Sequence, residues 1–540
     1  MARRTLVLLF AILLMAAPTF AAPNAIVDTA LAARAQSPRG SSQVIITTTG
    51  AQRADAAIER VGGTPGRFLP GLGQVATIPD SALLKLAASP DIISITLDRP
   101  VTGAVETTES TADAGKIAGT LGFDGSGVGV AIIDSGVANW HDDLGAGTVI
   151  HFVDFVGDLM APHDDYGHGT HVAGVIAGNG YDSGGARRGV APGAHLVVLK
   201  VLDEAGDGHI SDVIAAIDYA IEQRNRFNIR VINLSVSAGV HESYKTDPLT
   251  LAAKRAVDAG IVVITAAGNL GRSAKGTVQY GGITSPGNAP WVLTVGAADQ
   301  HKTASRMDDT VAQFSSRGPT YIDEEVKPDI VAPGVGIESL ADPSSTIFKE
   351  NPQARIAGSV DTVTAPYISL TGTSMAAPAV AGTVALMLEA NPKLTPNLVK
   401  AVLQYTAERR SRYDIVSQGG GFLNARGAVQ LAVELAGERP ATTDPSRWSR
   451  QIVWGSRRIA GGVLTMNANA WNTTVTWGAT ATAEGDAIVW GTVPDSGAAW
   501  TVAAERSAGT DNAPEAVHQP QKSADALRVR AAALPGGGSD

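Results

Sequence analysis

Between residues 128 and 295 the chain alternates short, nearly unbroken apolar runs with longer segments in which apolar positions recur every three to four residues. The runs are Val128–Ile133, Leu196–Leu202, Val231–Val236, Ile261–Ala266 and Trp291–Val295, rich in Val, Ile and Leu and bounded by turn residues. They read as strands buried on both faces. His168–Gly178, Asp212–Arg224 and Leu249–Ala259 carry the helical period, with Ser211 placed to cap the second and Gly260 to stop the third. Two more helices, one entered at Ser374 and continuing through the apolar stretch Met375 to Ala390, the other over Pro396–Ala407, complete the series near Ala436. This alternation predicts an α/β fold: a doubly wound parallel sheet with helices on both faces and function gathered at the carboxyl ends of its strands.

The pattern changes on either side. Within residues 42–100, Gln43–Thr48 reads as a strand and Arg53–Val61 as a helix ended by Gly62-Gly63. Arg67–Leu72 and Gln74–Ile78 read as a strand pair, Ser81–Ala88 as a helix and Ile92–Asp98 as a last strand. That is the β-α-β-β-α-β order of an α+β, ferredoxin-like unit, set either as an independent binding domain or as a removable pro-region. Residues 23–41, polar and alanine-rich, read as a linker, and Val101–Lys116, rich in Thr, Glu and Ser, as a loose segment open to cutting. From 441 to 505, Ile452-Val-Trp-Gly455, Val475-Thr-Trp-Gly478 and Ile488-Val-Trp-Gly491 recur between threonine-rich alternating stretches, which predicts a small C-terminal β appendage. Residues 506–540 carry Pro, Gln, Ser and Gly and are expected to be disordered.

Residues 1–22 read as a signal peptide: Met1-Ala-Arg-Arg4 is positive, Leu6 to Ala17 is apolar, and Thr19-Phe-Ala21 and Phe20-Ala-Ala22 offer small-residue cleavage sites. A retained N-terminal anchor is the competing reading, against which stand the shortness of the stretch and its lack of a stop-transfer flank. A secreted, extracellular chain with no membrane attachment after cleavage is therefore expected. Its 540 residues suffice for one large domain with smaller ones attached. A net charge of −10 argues against a nucleic-acid partner, and the absence of cysteine rules out disulfides, thiolate metal sites and a cysteine nucleophile.

Candidate chemistry sits at the ends of the predicted elements. In Gly372-Thr-Ser-Met-Ala-Ala-Pro378 a serine stands at a helix entrance, where its own N–H and the positive end of the dipole would stabilise an oxyanion. Pro378 is expected in the first turn of that helix, where the missing N–H costs nothing. Asp134 ends the run Val128-Gly-Val-Ala-Ile-Ile-Asp, a position suited to orienting an imidazole and also common for turn-forming acids. Asp165-Tyr-Gly-His-Gly-Thr-His-Val-Ala-Gly174 places His168 and His171 on one helix face. A metal pair helped by His163, Asp164 and Asp165 is one reading, although the His-Glu-x-x-His of zinc peptidases is absent. The other has His168 reaching into a cleft and His171 packed. Asn269, after Ala266-Ala-Gly268, carries a side-chain amide able to donate to an oxyanion, or is a simple turn residue.

Taken together, Ile-Ile-Asp-Ser-Gly, His-Gly-Thr-His-Val-Ala-Gly, Ala-Ala-Gly-Asn and Gly-Thr-Ser-Met-Ala-Ala-Pro, in that order over roughly 120–436, resemble the subtilisin-like serine protease family. The resemblance implies a subtilisin-like peptidase domain over 117–436 and an inhibitory propeptide over 42–100. It implies Ser374 as nucleophile, His168 as general base and then acid, Asp134 as its orienting carboxylate and Asn269 in the oxyanion hole. It likewise implies that Leu234, Ser235 and Val236 pair with substrate backbone opposite Gly206, Asp207 and Gly208, while Ala266, Ala267 and Gly268 wall a roomy, mostly apolar pocket. Protein or peptide substrates, a monomer and self-processing near residues 100–116 follow from it. No cofactor is required for the chemistry. His141-Asp-Asp143-Leu resembles the place where the family draws a calcium ligand, which leaves room for a structural ion at Asp143, although the loop Gly178–Gly189 offers little besides Asp182. Ser339–Pro366 is longer than a compact member would carry.

Three other readings compete. An α/β-hydrolase esterase wants Gly-x-Ser-x-Gly and a later histidine, whereas this motif has Ala376, and only His518 follows Ser374. Gly125-Ser-Gly-Val-Gly129 precedes its strand, so it does not form a dinucleotide turn. A catalytically silent adhesion protein would not need all four positions filled by competent residues, although the Trp-Gly repeats leave a surface-binding role open.

Overall fold

The computed structural model describes residues 25–103, 106–107, 122–157, 159–273, 275–303, 305–438, 445–493 and 499–504. The expected signal peptide and the expected tail over 506–540 lie outside them. The chain divides into two compact units, one comprising the residues up to Phe68 together with Gly73–Leu97, the other Leu69–Leu72 together with everything from Asp98 onward.

The first unit is a five-stranded sheet in the order Ile26–Val27, Ile92–Leu97, Ser41–Thr48, Gly73–Pro79, Thr64–Leu69. Helices Thr29–Gln36, Asp55–Arg60 and Leu83–Ala87 contribute Leu31, Ile58, Leu83 and Leu86 to a core completed by Val44, Ile46, Ile78 and Ile95. The stretch read as a linker is structured from Ile26 onward. The Asp28 carboxylate accepts the Ala30 N–H at 2.7 Å and starts a helix, Leu31 is fully buried, and Ile26–Val27 pairs in parallel with Ser94–Ile95. One buried leucine in an alanine-rich helix is too faint a period to stand out in sequence.

The second unit is built on an eight-stranded sheet. Its parallel strands run Val149–Asp154, His195–Lys200, Gly129–Asp134, Ile229–Leu234, Val262–Ala266, Leu293–Asp299 and Ile330–Pro333, and Thr310–Val311 adds antiparallel to Leu293–Asp299. Alternate side chains of a strand face opposite ways, and every residue of Gly129–Asp134 is buried, so both faces of the sheet are covered. Two of these strands carry too little signal to be read in advance. Val149–Asp154 lies at an edge and is only half-buried, and Ile330–Pro333 is four residues long.

The helix expected from Asp212 begins two residues earlier, at Ile210, and Ser211 is not its cap. Instead the Asp98 carboxylate takes both the N–H of Ser211, at 3.0 Å, and its hydroxyl, at 2.7 Å. A carboxylate from outside the helix thus supplies the first-turn acceptor.

Thr373–Ala390 runs through the core, with all but its last two residues buried. Among the described residues it is the one helix long and apolar enough to cross a membrane, and its burial is that of a core helix. Pro378 is its sixth residue, beyond the expected first turn, so it removes the donor that the Ser374 carbonyl would have received from position 378. The Ser235 hydroxyl makes good that loss, donating to the Ser374 carbonyl at 2.9 Å.

Among the described residues from 448 onward, Gln451–Trp454, Arg457–Ala460 and Thr501–Ala504 form one sheet of short strands and Val463–Leu464 with Gly491–Thr492 another. Their apolar residues, Ile452, Trp454, Trp471 and Trp477 among them, belong to the same core cluster as the eight-stranded sheet. Trp454 and Trp477 sit 4.5 Å apart, and each indole N–H donates to a carbonyl beside the other ring, of Ala479 and Val453 respectively, at 2.8 Å. Gly455 and Gly478 meet face to face, since a Cβ on Gly478 would stand 2.9 Å from the Gly455 Cα. Each Trp-Gly pair therefore sets a ring beside a backbone that only glycine lets approach. These rings pack the helix Pro396–Thr406, whose Asn397 amide donates to the carbonyls of Ala470 and Val475.

Candidate active site

Asp134 is the last residue of its strand and is fully buried. Its Oδ1 accepts from the Ser135 N–H and from His168 Nδ1, both at 2.7 Å. Because the partner is a carboxylate, Nδ1 carries the hydrogen and Nε2 presents a lone pair. Burial opposes a charge on His168, but the charge of Asp134 and its hydrogen bond outweigh that effect and hold the imidazole above its ordinary value.

His168 opens the helix His168–Ala177, and Gly167 before it takes φ of +98°, which favours glycine. Asp164 fixes this turn. Its two oxygens accept from the Ser135 hydroxyl, the Gly167 N–H, and the N–H and hydroxyl of Thr170, at 2.6 to 2.8 Å. The sequence offered Asp164 only as a metal candidate, and its four donors leave no such vacancy. His171 is buried against the Ile337 carbonyl, and burial pushes it down to about 3, so it stays neutral. The metal-pair reading fails for both histidines.

Ser374, second in its helix, donates its hydroxyl to the Ser235 carbonyl at 3.1 Å. The Nε2 of His168 is buried and has no hydrogen-bond partner, so the serine–imidazole bond is not made in this conformation. Asn269 is locked from behind, its Oδ1 accepting the N–H and hydroxyl of Thr373 at 3.0 and 2.9 Å. That turns the donor end of the planar amide away from Thr373. The structure thus joins Asp134 to His168 directly and links Asn269 to Ser374 through the neighbouring Thr373.

The flanking cleft holds part of the chain itself. Pro100–Thr102 pairs antiparallel with Asp207–His209, placing Thr102 opposite Asp207 and Val101 opposite Gly208. On its other side Thr102 exchanges two hydrogen bonds with Ser237, at 3.1 and 3.2 Å, and the Gly103 N–H donates to the Gly206 carbonyl at 3.1 Å. Further along, Glu106–Thr107 pairs with Leu370–Thr371, just ahead of Ser374. The segment expected to be loose is therefore strand-paired at Val101–Thr102 and Glu106–Thr107, and its remainder beyond 107 lies outside the described residues. Next to the expected Leu234, Ser235 and Val236, Ser237 is the residue that bonds Thr102, while the Ser235 carbonyl takes the Ser374 hydroxyl. Gly206, Asp207 and Gly208 lie along this segment of the chain, Asp207 and Gly208 in its strand pair and Gly206 accepting from Gly103. Ala266, Ala267 and Gly268 lie buried at the carboxyl end of Val262–Ala266, and Gly268, at φ +97°, has no room for a Cβ against Thr284.

Among the described residues one grouping could hold a metal ion, His141, Asp143 and Asp182, with ligand atoms within 4.8 Å of one another. The Asp143 N–H donates to His141 Nδ1 at 3.1 Å, and His141 Nε2 faces the Pro366 carbonyl at 2.9 Å, so both ring nitrogens are engaged. The Asp143 carboxylate accepts the Asp182 N–H and the Tyr367 hydroxyl, whereas Asp182 Oδ1 is buried without a partner. The two carboxylates fit an oxygen-seeking cation and the imidazole does not.

Residues 125–455 match the model of the Subtilase family. The serine protease AprX of Bacillus subtilis (strain 168) is 39% identical over 362 residues, covering 66% of this chain and 78% of that protein. Subtilisin E of the same organism is 31% identical over 395 residues, covering 72% and 89%. Fervidolysin from Fervidobacterium pennivorans, a keratinolytic enzyme related to subtilisin, shares the fold with a TM-score of 0.58 at 22% identity, over 75% of this chain and 63% of that one.

Proposed function

The chain belongs to the subtilase family of serine endopeptidases, and from that premise we propose that it is a secreted, self-processing enzyme that cuts proteins through an acyl-enzyme on Ser374. The observation that carries this reading is the buried imidazole of His168, oriented by Asp134 at 2.7 Å with Nε2 unpartnered. Rotation about the Cα–Cβ bond of Ser374 releases its hydroxyl from the Ser235 carbonyl. Nε2 then takes the proton as Oγ attacks the scissile carbonyl. Asp134 stabilises the imidazolium that forms, and the Ser374 N–H and the Asn269 amide hold the oxyanion. His168 returns the proton to the leaving amine, and water repeats the cycle on the ester.

The strands on either side of residues 104 and 105 support a cut in cis. Thr102 and Gly103 are held as a substrate backbone would be, and Glu106–Thr107 resumes beside the strand that leads to Ser374. We place the scissile bond between them, at Ala104–Val105, which makes residues 42–100 the propeptide and inhibitor of a monomeric enzyme. The small residues Ala266, Ala267 and Gly268 favour a broad, apolar-leaning pocket before the cut, and Asp207 at the rim favours basic residues further out. Structural calcium is common among subtilases. In this chain Asp143 and Asp182 would hold it, adding rigidity to that loop and no chemistry.

A serine-directed fluorophosphonate tests the nucleophile. Peptide mass analysis of the inactivated mature enzyme is expected to find the adduct on Ser374 alone, and full inactivation with an unlabelled Ser374 would refute the assignment.

A further inference from the structure

The insert ahead of the serine motif, Ser339–Pro366, has no part in the chemistry derived above, yet it reaches the strand that leads to Ser374. That strand, Tyr367–Thr371, has two edges. One is taken by Ile337–Leu340, from Ile337 opposite Leu370 to Leu340 opposite Tyr367. The other edge is shared. Glu106 and Thr107 face Thr371 and Leu370, whereas Arg355 and Ile356 of the insert face Ile368 and Tyr367. Leu370 and Ile368 each have a partner in Ile337–Leu340 as well, so these two short strands lie end to end along the second edge.

Arg355–Ile356 is held firmly in that place. Arg355 donates from Nε and Nη2 to the Phe348 carbonyl at 2.9 and 2.7 Å, and its guanidinium lies over the Phe348 ring, 4.2 Å from the centroid. Phe348 and Ile347 are buried in the main core, on the helix Thr346–Glu350 that Ser345 caps. The N–H groups of Thr346 and Ile347 donate to the carbonyls of Asp165 and Tyr166 at 2.9 and 3.0 Å, which ties this helix to the turn before His168. On the other side of the short strand, the Ser359 N–H donates to the Asp182 carbonyl at 2.7 Å. A strand anchored before and after itself does not yield its edge to a passing chain.

Each position on a strand edge pairs with one partner at a time, and a substrate strand gains affinity from main-chain bonds to such an edge. The antiparallel register counts the positions. With Thr107 opposite Leu370, the next residue of a substrate stands opposite Ser369, and the one after it would need Ile368, which Arg355 already occupies. We propose that Arg355–Ile356 is a stop on the leaving-group side of the cleft, a specificity-determining element that limits strand pairing to the first four residues after the cut. Chain beyond the fourth must turn away and adds no affinity, so the site suits exposed loops and chain ends. The inference rests on the cut at Ala104–Val105, which makes Glu106 and Thr107 the second and third residues after it.

The test uses purified mature enzyme and peptides that are identical before the cut and carry two to seven residues after it, with each cut located by mass. For wild type, kcat/KM is expected to rise as the chain lengthens to four residues and to stay within about twofold from four to seven. Replacing the strand through Arg355→Gly and Ile356→Gly removes its clamp on Phe348 and opens the edge. That variant, its fold checked by melting temperature, should gain about fivefold on the fifth to seventh residues, the scale of one backbone hydrogen bond. A wild-type gain of about fivefold beyond the fourth residue would overturn the stop, and this series is read without any variant. A plateau unmoved in the folded variant would overturn its assignment to Arg355–Ile356. A mature N-terminus other than Val105 would instead refute the cut position, which the peptide series does not depend on.

Discussion

At the residue scale, His168 decides when the site works. It must be neutral to accept the serine proton, and Asp134 holds it above the ordinary imidazole value of about 6.5. Protonation on the way down in pH therefore removes activity, and the acid limb of kcat/KM is expected to inflect above about 6.5. Asp134→Asn removes the carboxylate charge and its charge-assisted hydrogen bond, the two larger raising influences, and leaves only that of Asp164. Its acid limb should move to lower pH, with a rate loss on the order of 10⁴ as the imidazole loses its tautomer and partner. An unmoved limb would contradict the assigned pair. Both residues were legible because each ends or begins an element in a motif with its own sequence pattern. Asp164 was not, since its importance lies in the four donors that the folded turn brings to its carboxylate.

At the scale of elements, the serine helix shows why a proline persists inside an otherwise regular core helix. Pro378 frees the Ser374 carbonyl, and the Ser235 hydroxyl takes it at 2.9 Å, tying the nucleophile's backbone to the strand at the cleft. Pro378→Ala restores the helical donor and sets it in competition with Ser235. Thermal stability is expected to hold or rise, since an interior proline costs about 3 kcal/mol, while kcat drops about fivefold with KM unchanged. Unchanged kcat, measured beside the melting temperature, would show that the Ser235 tie is dispensable. Hydrophobic periodicity revealed the five central strands of the large sheet but missed Tyr367–Thr371, although all five of its residues are buried. It lost the half-buried edge strand Val149–Asp154 and the alanine-rich helix Thr29–Gln36, where burial is sparse.

Over the whole molecule, the Trp-Gly repeats hold the peptidase unit together. Recurrence at that spacing suggested a separate appendage because sequence shows repetition but not what a repeated ring packs against. Trp454 is fully buried, and Gln404, Asn397 and Tyr405 on the helix Pro396–Thr406 all bond to this segment. Trp454→Ala is expected to destabilise the mature enzyme by about 3–5 kcal/mol, the usual cost of emptying a core tryptophan site. Denaturant unfolding measures it, and a loss below about 1 kcal/mol would return the repeats to the status of an independent module. The same burial leaves the Trp454 and Trp477 rings unavailable to bind a surface. The parallel sheet with helices on both faces, by contrast, was legible in outline from the alternation alone, although the order of its strands was not.

The most direct test compares intact masses and N-termini of wild-type and Ser374→Ala precursors, each expressed, purified and incubated in isolation. Wild type should release a chain beginning at Val105, and Ser374→Ala should remain a single uncut chain through Ala104–Val105. A Ser374→Ala precursor that matured at the same bond would contradict the claim that these side chains converge on one carbonyl.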